Sequence, residues 1–100
     1  MKLYIDTSDA DFIVVGINDK KYKAKAHQRA SQKLLPLIEK VLKLQGATLQ
    51  DVSEIEVNTG PGSYTGLRVG VAVANALGWS LNIPVNTKNI SKGESVEIKY

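Results

Sequence analysis

The chain has 100 residues, a net charge of +3 and 43% hydrophobic residues, so it is long enough to bury one core. It contains no cysteine, which excludes disulfides and cysteine-based metal sites and agrees with a reducing, cytoplasmic location. The N-terminus has no signal-peptide pattern, and the longest apolar stretch, within residues 69–81, is too short to cross a bilayer. We therefore expect a cytoplasmic protein with no membrane partner.

The first 27 residues predict an antiparallel meander of three strands. A short strand opens at Leu3, residues 12–17 form a β-branched run typical of a central strand, and residues 21–27 form the third strand. The lysines at 21, 23 and 25 share one face of that third strand. Lysines of this kind protect an exposed edge strand from pairing, which is the favoured interpretation, and an RNA contact is the alternative.

The rest of the chain predicts helices that alternate with strands. The expected elements are a helix at 31–45 that ends at Gly46, a strand at 54–58, a helix at 65–81, a short strand from Val85 and a further strand at 95–100. A meander followed by helical crossovers predicts an α/β fold in one domain, residues 1–100, with parallel strands added to the meander and both helices on one face. This element order is that of the ribonuclease H-like fold.

A glycine-rich turn, N-T-G-P-G-S-Y-T-G-L-R-V-G at 58–70, joins the fourth strand to the second helix. Its glycines and proline favour a tight turn, in which Ser63 and Thr65 are candidates to cap the helix. Free amides at a helix N-terminus also suit an anion, but the lysine of a phosphate-binding P-loop is missing. A structural turn is favoured and phosphate binding stays open, with the cofactor candidates Asp6, Gly60, Gly62, Ser63 and Thr65.

No catalytic constellation is predicted. Asp6 follows an apolar strand, where an acid could bind a metal, but metal-dependent nuclease chemistry needs several convergent carboxylates. His27 is the only histidine and has no acid partner, and Ser63 lacks the sequence context of a nucleophile elbow. We therefore expect no catalytic residue, no metal and no cofactor.

Both helices carry more apolar surface than one face of a sheet requires. The apolar residues of the first helix cover about half of its circumference, whereas a helix on a sheet needs a stripe nearer 100° wide. Between Leu67 and Leu81 only Arg68, Asn75 and Ser80 are clearly polar. A small-residue ridge at every fourth position would let another helix approach; its members are Gly66, Gly70, Ala74 and Gly78. These features predict cover by a second protein, and the alternative is a two-helix layer with some exposed valine and leucine.

Three segments resemble the TsaB (YeaZ) family. They are I-D-T-S at 5–8, S-Q-K-L-L-P-L-I at 31–38 and G-P-G-S-Y-T-G-L-R-V-G at 60–70, followed by I-P at 83–84. Their order and spacing agree with the family over residues 1–85, and the third segment is a specific signature. The resemblance implies the ribonuclease H-like, actin-like (ASKHA) fold. Family members continue past the Ile-Pro strand into a second domain, and we expect this chain to lack that domain.

The resemblance also implies a function in the bacterial machinery that makes N6-threonylcarbamoyladenosine in tRNAs. There the chemistry belongs to a TsaD-type transferase, an ATPase of the TsaE type acts with it, and TsaB is a non-catalytic subunit that meets tRNA indirectly. TsaB docks through its two helices on TsaD or on a second copy of itself. The interface candidates implied are Leu34, Leu35, Ile38, Val41, Leu42, Val69, Gly70, Val73, Ala74 and Leu77. The alternative is half of an actin-like phosphotransferase that binds nucleotide with the glycine-rich turn.

Overall fold

A computed structural model of the chain describes residues 1–94 and 96–98. The strands are β1 (Lys2–Asp6), β2 (Phe12–Ile17), β3 (Lys20–Lys25) and β4 (Glu54–Val57), and the helices are α1 (Ala30–Leu44) and α2 (Tyr64–Leu81). Short 3₁₀ helices lie at Leu49–Asp51 and Ile90–Lys92. Most boundaries lie within one or two residues of the predicted ones, a difference that is usual for element ends.

The strands form one sheet in the order β3-β2-β1-β4. Neighbouring strands of the β1–β2–β3 meander are antiparallel, whereas β4 joins β1 in parallel after the chain has passed through α1. Alternate apolar residues, such as Leu3, Ile5 and Val15, are buried on a single face of this sheet. The predicted α/β class, the meander and the position of β3 at an edge are confirmed.

Both helices cover the same face of the sheet, as predicted. Helix α1 lies over β2, α2 lies over β1 and β4, and the two helices contact each other. The left-handed backbone of Gly46, with φ of +66°, follows the end of α1, which is the conformation that glycine adopts most easily. The core therefore lies between the helix pair and one sheet face.

The region after α2 differs from the prediction. Val85 makes two isolated bridges, a parallel one to Ile55 and an antiparallel one to Lys88, instead of opening a strand. Asn86 and Thr87 adopt positive φ angles of 47° and 67°, which ends the extended backbone and turns the chain back on itself.

The strand predicted over 95–100 lies partly outside the described residues. Residues 96–98 have no regular structure, and Ser95, Lys99 and Tyr100 lie outside the described residues. Among the residues that are described, no helix has the length and apolar character that spanning a bilayer requires.

Candidate functional site

The glycine-rich turn is fastened to the loop after β1 by hydrogen bonds. The Ser63 amide donates to the carbonyl oxygen of Ser8 at 2.7 Å, and the Gly60 amide donates to Oδ1 of Asn58 at 2.9 Å. The Gly66 amide donates to Oγ of Ser63 at 3.2 Å, so Ser63 is the N-cap of α2, as predicted. Thr65, the other capping candidate, lies inside the helix and is exposed.

Glycines in this region allow the α2 backbone to lie against the end of β1. A Cβ atom on Gly66 would lie well within 3.0 Å of the Thr7 carbonyl oxygen, and one on Gly70 equally close to Oγ1 of Thr7. Thr7 is fully buried, and its hydroxyl donates to the Gly66 carbonyl oxygen at 2.5 Å. Gly78, further along the ridge, lies against Val85 and Ile90. The small-residue ridge thus packs against the chain's own residues, which corrects the prediction that it receives a partner helix.

The cofactor candidates meet at one end of the sheet, where β1 and β4 end, and internal hydrogen bonds hold polar groups of Asp6, Gly60 and Ser63. The amides of Gly60, Ser63 and Gly66 are already bonded within the chain. Oδ1 of Asp6 accepts from the Ser8 amide at 2.9 Å and from the Ser8 hydroxyl at 2.6 Å. Among the described residues no group of three potential metal ligands is present. This geometry favours a structural role for the turn over phosphate binding.

Asp6 stays ionised in the folded chain to a lower pH than an aspartate in water does. Partial burial raises the pKa of its carboxyl, but hydrogen bonds from Ser8, Asn58 and Tyr4 outweigh that effect, so the pKa lies below its usual value. The hydrogen-bonded pair of Asp6 and Tyr4 also affects the Tyr4 hydroxyl. Burial and, after it, the charge of Asp6 raise the pKa of Tyr4 to about 12. Asp6 therefore acts in the turn as a hydrogen-bond acceptor.

Asp6→Asn is expected to flatten the acid dependence of stability. A carboxyl with a lowered folded-state pKa stabilises the fold above the unfolded-state pKa, about 3.9, and loses that contribution as the pH falls through the folded-state value. The variant should be less stable than the parent at pH 7, and the difference should shrink toward pH 3. Urea unfolding midpoints at pH 7, 5 and 3 measure this difference. Asp19→Asn, in the exposed β2–β3 turn, is the control, and a constant difference between parent and Asp6→Asn would contradict the expectation.

The structure divides the ten residues predicted for the interface. Six of them lie in the interior: Leu34, Ile38, Val41, Leu42, Gly70 and Ala74. The other four reach the surface: Leu35 is 47% exposed, and Val69, Val73 and Leu77 are partly exposed. A partner could contact the six only by opening the core, so we withdraw them from the interface set.

The outer surface of the helix pair is apolar and is formed by Leu35, Val69, Ala72, Val73 and Ala76, which we call the two-helix face. Ser31 lines a small cavity of about 190 Å³ together with Thr65 and Val69, and Leu35 lies one turn further along the same side of α1. Ala72 and Ala76 are exposed and were absent from the predicted set. The 100° helical repeat could have found them, since it places both on the side of α2 away from the glycine ridge.

The site and the sheet define an α/β domain of the ribonuclease H-like, actin-like class. A family model described as TsaD, tRNA N6-adenosine threonylcarbamoyltransferase, matches residues 20–89. The chain belongs to this family. Members named TsaB or YeaZ match 81–84% of the chain, which confirms the resemblance found in its motifs.

Similar proteins cover most of this chain, but the chain covers only part of them. The tRNA threonylcarbamoyladenosine biosynthesis protein TsaB of Bacillus subtilis is 40% identical over 81 residues, which are 81% of this chain and 31% of that protein. A tRNA N6-adenosine threonylcarbamoyltransferase of Vesicomyosocius okutanii is 49% identical over 53 residues, 53% of this chain and 16% of that protein. The structure of YeaZ from Pseudomonas aeruginosa superposes with a TM-score of 0.74 at 28% identity, over 84% of this chain and 41% of the other. The chain thus spans between about a third and two fifths of the length of these TsaB and YeaZ relatives.

Proposed function

We propose that the chain is a non-catalytic subunit in the biosynthesis of N6-threonylcarbamoyladenosine in tRNA, and that its two-helix face docks on a TsaD-type transferase or on a second copy of the chain. The observation that carries the proposal is the exposure of apolar side chains on the outer side of α2, over a segment without charge. No ionisable residue occurs between Val69 and Leu81. Exposed apolar patches of this kind mark protein interfaces.

Two large side chains give the face anchors for a partner. Leu35 is 47% exposed, and Trp79, one helical turn beyond Ala76 on the same side of α2, is 63% exposed. Full burial of a leucine-sized side chain contributes about 1.5–3 kcal/mol, and tryptophan is prominent among residues that dominate binding energy. Alanines at 72 and 76 let a partner backbone approach closely between these anchors.

The non-catalytic role is supported by how the polar groups of the turn are used. Asp6, the only acid at the end of β1, is held by Ser8 and Tyr4, and the Ser63 side chain caps α2. In this proposal the threonylcarbamoyl transfer occurs on the TsaD-type subunit in the cytoplasm, with a TsaE-type ATPase as a further member of the assembly.

A reconstituted transfer reaction tests this proposal. A TsaD-type transferase with tRNA and threonylcarbamoyl-adenylate should modify tRNA faster when the chain is added, and the chain without the transferase should modify none. Mass spectrometry of the digested nucleosides measures the product. Product formed by the chain alone would overturn the non-catalytic role, and a rate that is indifferent to the chain would overturn the partnership.

A further inference from the structure

The cations of this chain are concentrated in one segment. Residues 20–43 contain seven lysines and one arginine against a single glutamate, Glu39, which gives the segment a charge of +7. The remainder of the chain has five cations and nine acids, a charge of −4. The small net charge of the whole chain therefore conceals a strongly basic part and a mildly acidic part.

The fold gathers these cations around one edge of the sheet. Strand β3 is that edge, and α1 packs over the neighbouring strand β2 on the helix-covered face. A shallow groove between β3 and α1 is lined by Lys25, Arg29, Lys33 and Lys40, together with Gln32. We call these four cations, with Lys21 and Lys23 on the same strand, the basic band. All six are exposed.

None of the six cations of the basic band forms an ion pair within the described chain, although Lys23 shares a cleft with Asp6 and Asp9. The one ion pair among residues 1–94 and 96–98 joins Lys2 to Glu56 on the opposite half of the sheet, at 2.6 Å. Lys21 and Lys23 place their ammonium groups over aromatic rings on the open sheet face, each 4.3 Å from the ring centroid, of Tyr4 and Phe12 respectively. These contacts hold the two ammonium groups above the sheet without neutralising them.

Protection of the edge strand does not account for the whole basic band. Lysines on β3 itself would discourage pairing with another strand. Arg29, Lys33 and Lys40 belong to the turn before α1 and to α1, where they protect no strand edge, yet they share the groove with Lys25. Like charges gathered within about a Debye length, roughly 10 Å, raise the local potential, and a polyanion offers the matching charges.

We propose that the basic band binds the phosphate backbone of RNA. Lysines at alternate positions of β3, spaced about 6.6 Å apart, line this edge of the sheet on its open face, and Lys25 also lines the groove that leads to the cations of α1. An extended chain of phosphates can follow these cations around the edge of the sheet. The band lies at the edge opposite β4, and α1 presents it on the flank away from α2, so it does not overlap the two-helix face. The choice of RNA among polyanions rests on the proposed function in tRNA modification, whereas the charge argument stands without it.

Fluorescence anisotropy with a labelled tRNA transcript tests the proposal. Lys25→Gln combined with Lys33→Gln should weaken binding about tenfold at 50 mM salt and should lower the slope of log affinity against log salt by roughly two, one for each phosphate that the variant no longer neutralises. The matched control combines Lys88→Gln with Lys92→Gln, which removes the same charge beyond the β4 edge, where Val85 bridges Ile55. Circular dichroism verifies that both variants are folded.

Each outcome of this experiment decides the proposal. Absence of binding by the parent at 50 mM salt, or equal weakening by the two variant pairs, would overturn the basic band as an RNA site. Equal or stronger binding of poly-glutamate or of phosphatidylserine vesicles through the same lysines would overturn RNA as the ligand. Leu35→Asp should leave RNA affinity unchanged, and the Lys25/Lys33 variant should keep the transferase. Failure of transferase binding with RNA binding intact would therefore count against the proposed function alone.

Discussion

Leu35→Asp should reduce the affinity of the chain for a TsaD-type transferase, or for its own second copy, by at least about 100-fold. The substitution places a charge in the apolar two-helix face, where docking would remove it from water without a partner. The parent leucine is 47% exposed, so its replacement leaves the core intact and the chain should remain folded. Isothermal titration calorimetry against the transferase measures the change.

Leu44→Asp is the matched control for that substitution. Leu44 is on the same helix and is 60% exposed, but it lines a different surface, near Lys40 and Thr48. Its replacement should leave the affinity within about twofold of the parent, which is the usual size of surface effects. Equal losses for the two variants, or no loss for Leu35→Asp, would remove the two-helix face from the interface.

Gly66→Ala should destabilise the chain by about 3 kcal/mol or more, a large fraction of the stability of a domain this small. The added Cβ would overlap the carbonyl oxygen of Thr7, and a backbone atom in a buried strand end cannot move aside easily. The shift would also disturb the bond from the Thr7 hydroxyl to the Gly66 carbonyl. Urea unfolding followed by circular dichroism measures the free energy of unfolding.

Gly46→Ala separates this packing effect from backbone strain. Gly46 has a φ of +66°, but no atom lies within 4 Å of the position of an added Cβ. Its replacement should cost only about 1–2 kcal/mol, the cost of a left-handed backbone in a non-glycine residue. A smaller loss for Gly66→Ala than for Gly46→Ala would show that α2 does not lie against β1 as described.

Local signals in the sequence predicted the elements and their ends. Gly46 marked the end of α1, and Ser63 marked the start of α2, because a left-handed cap and a side-chain cap depend on residues within a few positions. The β-branched run of β2 likewise predicted a strand without knowledge of its neighbours. The antiparallel meander could be predicted as well, because short connections join its three strands.

The sequence did not predict which side of each helix faces the sheet and which side faces solvent. Periodicity showed that Gly66, Gly70, Ala74 and Gly78 share a side of α2, but the residue that Gly66 and Gly70 contact, Thr7, is 59 residues from Gly66. The apolar arc of α1 is wide enough to serve either the sheet or a partner. Only the packed sheet shows that Leu34 faces inward and Leu35 faces outward.

The basic band also depends on tertiary structure. The lysines of β3 are visible in the sequence, and they predict an exposed edge equally well. The groove that Lys25 shares with Arg29, Lys33 and Lys40 appears only when α1 packs over β2. Val85 shows the opposite case, in which the fold reduces a predicted strand to isolated bridges at one residue because the two residues after it turn the chain.

Light scattering on the purified chain tests the docking role without any substitution. The chain is measured at concentrations from 100 down to about 1 μM, and again after an equal amount of a TsaD-type transferase is added. We expect a particle of two chains at the higher concentrations, or a one-to-one complex once the transferase is present. A particle with the mass of a single chain at every concentration, unchanged by the transferase, would show that the exposed helix surface binds neither a second copy nor the enzyme.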